Sequence, residues 1–262
     1  MNELLEASPL RATLQDSGLV VVRGAIPRAA ATEMCDCIWR VLEARGVRRD
    51  DRSTWPAQWV AGFQALTRSR AFEPVGSDRV REALDVLLAH DWDVGRWGQP
   101  LVTFPSTGEW KLTAKVWHFD FPVRASPREP VGLRLLTILA PLTNQGGGTL
   151  VLQGSHRLAA ALLAQGVAGD GKSQHIRELL KGKHPWLREL WSKGDGSDRT
   201  RRLMEEGADI EGVPLRVVEV TGQPGDVYFM HPWTLHAVSI NAAKTPRFML
   251  STTIVADRRI FG

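Results

Sequence analysis

The sequence predicts a mainly β protein with flanking helices, whose core is a sandwich, a barrel or a jelly roll. From about residue 101 onward, eight short β-like runs follow one another, and turn signals such as "NQGGG" and "QPGD" separate several of them. The first hundred residues carry helical periodicity instead. A content of 43% hydrophobic and 24% charged residues is typical of a folded globular chain.

The N-terminal third begins with a short apolar strand, "LVVV", followed by a turn. An amphipathic helix is expected to start near Pro27, because proline suits the first helical position, and to end near Gly46. A second helix is capped by Ser77 or Asp78, and its apolar residues recur at helical spacing. We therefore assign a helical support to about residues 1–98.

The β-like runs then form a core over about residues 99–262, so that the whole chain, 1–262, is one domain. In order, the runs are "LVTF", "WKLTAKVWHFDF", "GLRLLTILAPL", "GTLVL", "LRVVEV", "GDVYFM", "TLHAVSI" and "RFMLSTTIV". "NQGGG" lacks the spacing of phosphate-binding glycine motifs and is interpreted as a hairpin turn. A polar, helical insertion at about 156–214 fits either a lid or a solvated surface excursion.

Composition argues against several classes of protein. The net charge of +4 is modest and its basic residues are interleaved with acids, which argues against nucleic acid as a partner. Neither a signal sequence nor an apolar run of about 20 residues is visible, so no membrane association is expected. The two cysteines, Cys35 and Cys37, suit neither a disulfide nor a zinc site. A reducing, cytoplasmic location is the expectation.

The run "VWHFDF" carries the first sign of chemistry. Side chains alternate along a strand, so His118 and Asp120 share one face while Trp117 and Phe119 share the other. That pattern fits a pair of metal ligands and also a polar strip on an ordinary sheet. A metal facial triad of two histidines and one carboxylate needs one more histidine. The downstream candidates are His156, His175, His184, His231 and His236.

The stretch "HAVSINAAKTPRF" resembles the C-terminal signature of phytanoyl-CoA hydroxylase-like Fe(II)/2-oxoglutarate dioxygenases. In that family the distal metal histidine is followed five residues later by asparagine and eleven later by arginine, and His236, Asn241 and Arg247 match both intervals. The stretches "GLVVVRGAIP", "GGGTLVLQGSHR" and "GDVYFMHP" resemble further family motifs in the same order. The combined order is far more specific than the histidine–aspartate triplet alone.

The resemblance implies a double-stranded β-helix, the jelly-roll core also found in cupins. It implies an enzyme that uses Fe(II), 2-oxoglutarate and O2, with His118, Asp120 and His236 as the catalytic metal ligands. Arg247 corresponds to the family's ligand for the distal carboxylate of 2-oxoglutarate, a task that suits the guanidinium fork. Further contacts to 2-oxoglutarate are assigned to Lys115, Thr149 and Ser251.

The activity implied is hydroxylation of an unactivated C–H bond of a small-molecule substrate, with release of succinate and CO2, as in specialised metabolism. Desaturation, cyclisation or epimerisation by the same oxidant, and a cupin-like metal enzyme without 2-oxoglutarate, are the alternatives. Halogenases that resemble this family have glycine or alanine in place of the carboxylate, so Asp120 argues against a halogenase. Val238 replaces a serine that is usual in the family, and Ser239 is expected to face the other way. The substrate-binding residues and the oligomeric state stay open.

Overall fold

The computed structural model describes residues 3–57, 59–89, 92–120, 132–167, 172–193 and 196–256. Within these ranges the helices are α1 (Glu3–Ser17), α2 (Arg28–Glu43), α3 (Gln64–Arg68), α4 (Asp78–Leu88), α5 (Ser155–Ala164), α6 (Ser173–Lys183), α7 (Pro185–Arg188) and α8 (Gly196–Thr200). The strands are β1 (Leu19–Val22), β2 (Trp59–Val60), β3 (Gln99–Thr103), β4 (Gly132–Ile138), β5 (Leu150–Gln153), β6 (Ala208–Ile210), β7 (Val213–Glu219), β8 (Val227–Met230), β9 (His236–Ala237) and β10 (Arg247–Val255).

Two antiparallel sheets form the core. The major sheet has the strand order β1-β8-β4-β10-β3-β2, and the minor sheet has the order β6-β7-β5-β9. Strand β10 is central in the major sheet, because it pairs with β4 on one side and with β3 on the other. The two sheets with their flanking helices are the jelly-roll architecture that the sequence predicted.

Alternation along β10 separates two hydrophobic environments. Phe248 and Leu250 pack with helices α2 and α4 on the outer face of the major sheet. Met249 belongs instead to a cluster between the sheets that also contains Val151 of β5. Since side chains alternate, Arg247 and Ser251 share the inner face with Met249. This inner face is where the predicted site residues of β10 lie.

The predicted helices form where their terminal residues indicate. Pro27 immediately precedes α2, and Gly46 follows its C-terminal turn with a φ of 85°. Ser77 caps α4 by accepting a hydrogen bond from Val80 N at 3.3 Å, and the apolar face of the helix is buried. None of the helices in the described ranges is long and apolar enough to cross a membrane.

Two expectations about the strands are wrong. The run containing "WKLTAKVWHFDF" is not a regular strand: over residues 110–120 it has only an isolated bridge between His118 and His236, while Phe121 lies outside the described residues. "NQGGG" does form a turn, but it joins β4 of the major sheet to β5 of the minor sheet and so closes no hairpin. Turn residues show where a chain reverses, and they do not show which sheet the next strand enters.

The insertion predicted at about 156–214 is helical only in part. Its described residues form α5 to α8 and a further helical turn that ends at Glu206, but β6 and the start of β7 also lie within those bounds, so the prediction is wrong for the last residues. Helices α5 to α7 pack on the outer face of the minor sheet in one hydrophobic cluster, which includes Leu150 and Leu152 of β5. Trp117 and Phe119 are buried in the same cluster. The aromatic side of the histidine–aspartate segment therefore packs against the insertion, which leaves His118 and Asp120 on the opposite side.

Candidate metal centre

The histidine–aspartate segment and β9 bring three potential metal ligands together. The backbone of His118 donates to His236 O at 2.9 Å, and His236 N donates back to His118 O at 3.1 Å. This reciprocal pairing sets the two imidazoles side by side, with ring centroids 4.3 Å apart. One ligand atom from each of His118, Asp120 and His236 lies within 4.8 Å of the others.

The carboxylate of Asp120 lies between the two imidazoles. Its Oδ1 is 3.6 Å from His118 Nε2 and its Oδ2 is 3.3 Å from His236 Nε2. Adjacent ligands of an octahedral ion with bonds of about 2.1 Å are about 3 Å apart. The observed separations are close to that value, so the donor set fits a first-row divalent ion.

Both histidines are held in the tautomer that a metal needs. His118 Nδ1 lies 2.8 Å from Val116 O, and His236 Nδ1 lies 3.0 Å from Thr234 O. A carbonyl oxygen only accepts hydrogen bonds, so each Nδ1 carries the proton and each neutral ring keeps its Nε2 lone pair. Such backing of ligand histidines by carbonyls is usual in metal sites.

Neighbouring groups keep Asp120 ionised in spite of its burial. Desolvation opposes ionisation, but the adjacent His118 and His236, together with the charge of Arg134, hold the pKa of Asp120 well below its usual value. The same contact with Asp120 raises the pKa of His118 above its ordinary value. The carboxylate is therefore available as an anionic ligand throughout the neutral range.

Arg134 of β4 is a residue that the sequence analysis missed. Its Nε donates to Asp120 Oδ2 at 2.6 Å, and its Nη1 donates to Ser251 Oγ at 3.2 Å and to Thr253 Oγ1 at 2.6 Å. The strand "GLRLLTI" contains one charged residue among apolar ones, and that isolated charge was the available signal. Ser251, predicted as a contact for 2-oxoglutarate, thus contacts Arg134 in the structure.

Arg247 lies at the start of β10 with a side chain only 3% exposed. Its Nη2 donates to Thr103 Oγ1 at 2.8 Å and its Nη1 donates to Gly147 O, while its buried Nε has no hydrogen-bond partner within the described ranges. Burial lowers the pKa of Arg247 to about 10, and the nearby charge of Glu219 opposes this shift. The guanidinium is thus charged at neutral pH and incompletely satisfied, which fits an anion-binding role.

Asn241 explains why the family signature places an amide between His236 and Arg247. The buried Asn241 Nδ2 donates to Thr103 O at 3.1 Å and to Thr245 O at 2.9 Å. A Cβ added to Gly147, whose φ is 82°, would lie 2.9 Å from the Asn241 side chain. Glycine therefore allows the turn to approach Asn241 closely and to present its carbonyl to Arg247.

The remaining predicted contacts differ in their surroundings. Thr149 is buried immediately before β5, two residues from Val151, which pairs with His236. Lys115 is exposed beside Val116, whose φ of 56° turns the chain just before His118. Ser239 accepts a hydrogen bond from Trp110 Nε1 at 2.9 Å, and Trp110 packs against the hydrophobic cluster that contains the insertion helices. Val238, at the usual serine position, is 53% exposed.

Two other histidines lie away from these ligands. His156 is buried and lies beside the half-buried His231, with ring centroids 4.8 Å apart, and His156 Nε2 is 2.9 Å from Gln15 O. Burial lowers the pKa of both rings, to about 4 for His156, so both are neutral at physiological pH. His231 directly follows β8 and its backbone N donates to Gly18 O at 2.9 Å, so the pair joins α5 and the end of β8 to the C-terminal end of α1.

Comparison with known protein families agrees with this geometry. The phytanoyl-CoA dioxygenase (PhyH) family matches residues 14–249, which is most of the chain. The chain belongs to the phytanoyl-CoA dioxygenase family. It is therefore an oxidoreductase of the Fe(II)- and 2-oxoglutarate-dependent oxygenases, with Fe(II), 2-oxoglutarate and O2 as its cofactor and co-substrates. No curated protein matches the sequence significantly.

Solved structures share the fold of this phytanoyl-CoA dioxygenase family member. The α-ketoglutarate-dependent epimerase SnoN from nogalamycin biosynthesis is 16% identical, with a TM-score of 0.58 over 96% of this chain and 83% of its own. The non-heme monooxygenase ThoJ is 17% identical, with a TM-score of 0.55 over 94% and 76%. EctD from S. alaskensis, solved with 2-oxoglutarate and 5-hydroxyectoine, is 16% identical, with a TM-score of 0.56 over 95% and 76%.

Proposed function

We propose that His118, Asp120 and His236 bind Fe(II) and that the enzyme hydroxylates an unactivated C–H bond of a small-molecule substrate. The observation that carries the proposal is the convergence of the three ligand atoms within 4.8 Å, with both Nε2 atoms left free by the carbonyls behind the rings. Three ligands on one face of an octahedral ion leave positions for a co-substrate and O2. This is the arrangement that a 2-oxoglutarate-dependent oxygenase requires.

Arg247 supports the proposal that the site binds 2-oxoglutarate. A buried guanidinium with an unpartnered Nε gains most from a carboxylate that it can bind through two parallel hydrogen bonds. We assign the distal carboxylate of 2-oxoglutarate to Arg247, with Thr149, Lys115 and Ser251 as further contacts. Thr149 is the best supported of these three because it is buried beside the pair of Val151 and His236.

When bound, Fe(II) and 2-oxoglutarate supply the oxidation, in which O2 converts 2-oxoglutarate to succinate and CO2 and one oxygen atom reaches the substrate. The protein positions the groups and excludes water. Asp120 supplies the negative charge, and Arg134 holds one of its oxygens at 2.6 Å. Trp117 and Phe119 are buried behind the ligand segment and restrict the motion of His118.

Structurally similar enzymes support a small molecule as the substrate. SnoN has been solved with nogalamycin RO, and EctD with 5-hydroxyectoine. Hydroxylation is the proposed outcome, and desaturation, cyclisation or epimerisation by the same centre are the alternatives. The mass of the product separates hydroxylation, which adds one oxygen atom, from desaturation or cyclisation, which each remove two hydrogens, and from epimerisation, which leaves the mass unchanged. A cytoplasmic location stays a prediction, and the two free thiols support it.

Anaerobic titration tests the assignment of the ligands. Adding Fe(II) and then 2-oxoglutarate to the purified protein is expected to give a visible charge-transfer band, and O2 is expected to yield succinate. His236→Ala should abolish the band, whereas His175→Ala, which removes an exposed histidine of the insertion, should retain it. A band of normal intensity in His236→Ala would refute the assignment, as would its absence from the wild-type protein.

A further inference from the structure

The segment that carries His118 and Asp120 has two edges, and β9 covers only one of them. On that edge the backbone of His118 pairs in both directions with His236. The neighbouring groups, Trp117 O and Phe119 N, point to the opposite edge. Backbone groups on the outer edge of an extended segment need hydrogen-bond partners, and the segment is poorly restrained without them.

Helix α6 of the insertion supplies that cover with two side chains. Ser173 Oγ accepts a hydrogen bond from Phe119 N at 3.0 Å, and Arg177 Nη1 donates to Trp117 O at 3.0 Å. Ser173 and Arg177 are four residues apart, so they lie on the same helix face. One face of α6 therefore takes the place of a neighbouring strand beside the two metal ligands.

A third side chain of the insertion binds the same segment further upstream. The buried Arg199 donates to Leu112 O at 2.6 Å and to Thr113 O at 3.0 Å. It also donates to two carbonyls of the insertion itself, Glu189 O and Leu190 O. The insertion and the ligand segment are thus joined by polar contacts along residues 112–119 as well as by the packing of Trp117 and Phe119.

Stability alone does not account for Arg177. Its buried Nε has no hydrogen-bond partner within the described ranges, and a buried donor without a partner costs stability. An apolar side chain of similar length would avoid that cost. The feature that an apolar side chain could not supply is the hydrogen bond to Trp117 O, which fixes the carbonyl immediately before His118.

We infer that the helical insertion positions the metal ligands, with Ser173 and Arg177 as the positioning residues for His118 and Asp120. The inference rests on the proposed metal site. On this inference α6 supports the metal ligands from behind and does not act as a lid over the site. The affinity for the metal thereby depends on two side chains that touch neither the ion nor a ligand side chain.

Metal affinity and amide exchange test this inference directly. Co(II), which replaces Fe(II) without being oxidised in air as readily, is titrated into wild type, Ser173→Ala, Arg177→Met and Arg177→Lys by calorimetry, alongside Arg188→Met as an exposed arginine control from the same insertion. We expect Co(II) affinity to fall about tenfold in Ser173→Ala and Arg177→Met, the lower end of effects from residues behind metal ligands. Arg177→Lys should recover part of the loss, and Arg188→Met should match wild type.

Hydrogen exchange of the Phe119 amide in the metal-free protein should accelerate in Ser173→Ala. A residue that only stabilised the fold would lower the melting temperature while leaving Co(II) affinity unchanged. Affinities within twofold of wild type in both variants would therefore overturn the inference, even if exchange accelerates. Should Arg177→Met fail to fold, Ser173→Ala and Arg177→Lys still decide. If wild type itself binds no Co(II), or if His236→Ala binds it normally, the proposed metal site fails instead.

Discussion

Replacing Arg247 by methionine should separate co-substrate binding from stability. The wild-type residue is almost fully buried, and burial lowers the pKa of its guanidinium from the ordinary value to about 10. A shift of that size corresponds to about 3 kcal/mol against the charged form. Methionine removes that cost, but it leaves Gly147 O and Thr103 Oγ1 without their donor, at about 1–3 kcal/mol for each buried unsatisfied group, or about 2–6 kcal/mol for the two. The two effects oppose each other, and their central values leave a net loss of about 1 kcal/mol.

We therefore expect the melting temperature of metal-free Arg247→Met to stay within about 5 °C of wild type, since 1 kcal/mol corresponds to about 2–4 °C in a chain of this size. Binding of 2-oxoglutarate should behave very differently. Two charge-assisted hydrogen bonds of about 1.5–3 kcal/mol each correspond to a loss of about 10²- to 10⁴-fold in affinity. Affinity for the metal should be unchanged.

Calorimetric titration of 2-oxoglutarate into the Co(II)-loaded protein measures the loss, and differential scanning calorimetry measures stability. Arg216→Met removes an exposed arginine of β7 and serves as the matched control. Arg247→Lys keeps the charge but not the two-pronged guanidinium, so its affinity for 2-oxoglutarate should lie between those of wild type and Arg247→Met. The reasoning is refuted if Arg247→Met binds 2-oxoglutarate normally, or if metal and 2-oxoglutarate are lost together with a large drop in melting temperature.

Three further predictions follow from contacts described above. Arg134→Met should weaken Co(II) binding about tenfold, because Asp120 loses the donor that orients it; unchanged affinity in a titration would contradict this. Asp226→Asn should destabilise the protein at neutral pH, where the carboxylate accepts hydrogen bonds from Gly24 N and Gln223 N. Folding lowers the pKa of Asp226, so the stability that its carboxylate contributes is present above about pH 4 and is lost as the pH falls through the lower folded value. The free energies of unfolding of wild type and variant, measured in urea, should therefore converge in acid. A difference that stays constant with pH would contradict the assignment. Trp117→Ala should cost about 3–5 kcal/mol in urea unfolding because the fully buried ring leaves a cavity, and a loss below about 1 kcal/mol would contradict its place in the core.

Elements with strong local signals could be predicted from the sequence. Strand β10 matches the run "RFMLSTTIV" residue for residue, because a β-rich run is bounded by a turn on its N-terminal side. Helix α4 begins at its predicted serine cap. The three metal ligands were identified from spacing and family resemblance, and their convergence in the structure is consistent with that assignment.

Features that depend on distant residues could not be predicted in this way. Alternation suggested a strand around His118, but the partners of that segment's outer edge are Ser173 and Arg177, more than fifty residues away. Arg134 lies fourteen residues from Asp120, and only the folded sheet brings the two together. Local patterns carry no information about such pairings, since hydrogen bonds from side chains replace the regular ladder there.

Strand β10 sets the distance between the two ends of the proposed site. Arg247 and Ser251 lie on its inner face, four residues and therefore roughly 13 Å of extended backbone apart, and Ser251 contacts the arginine that holds Asp120. The separation between the anion-binding end and the metal end is thus set by covalent geometry in a strand that is paired on both sides. Selectivity for the chain length of the 2-oxo diacid should accordingly persist when the loops and the insertion change, so that the substrate can diverge while the co-substrate stays the same.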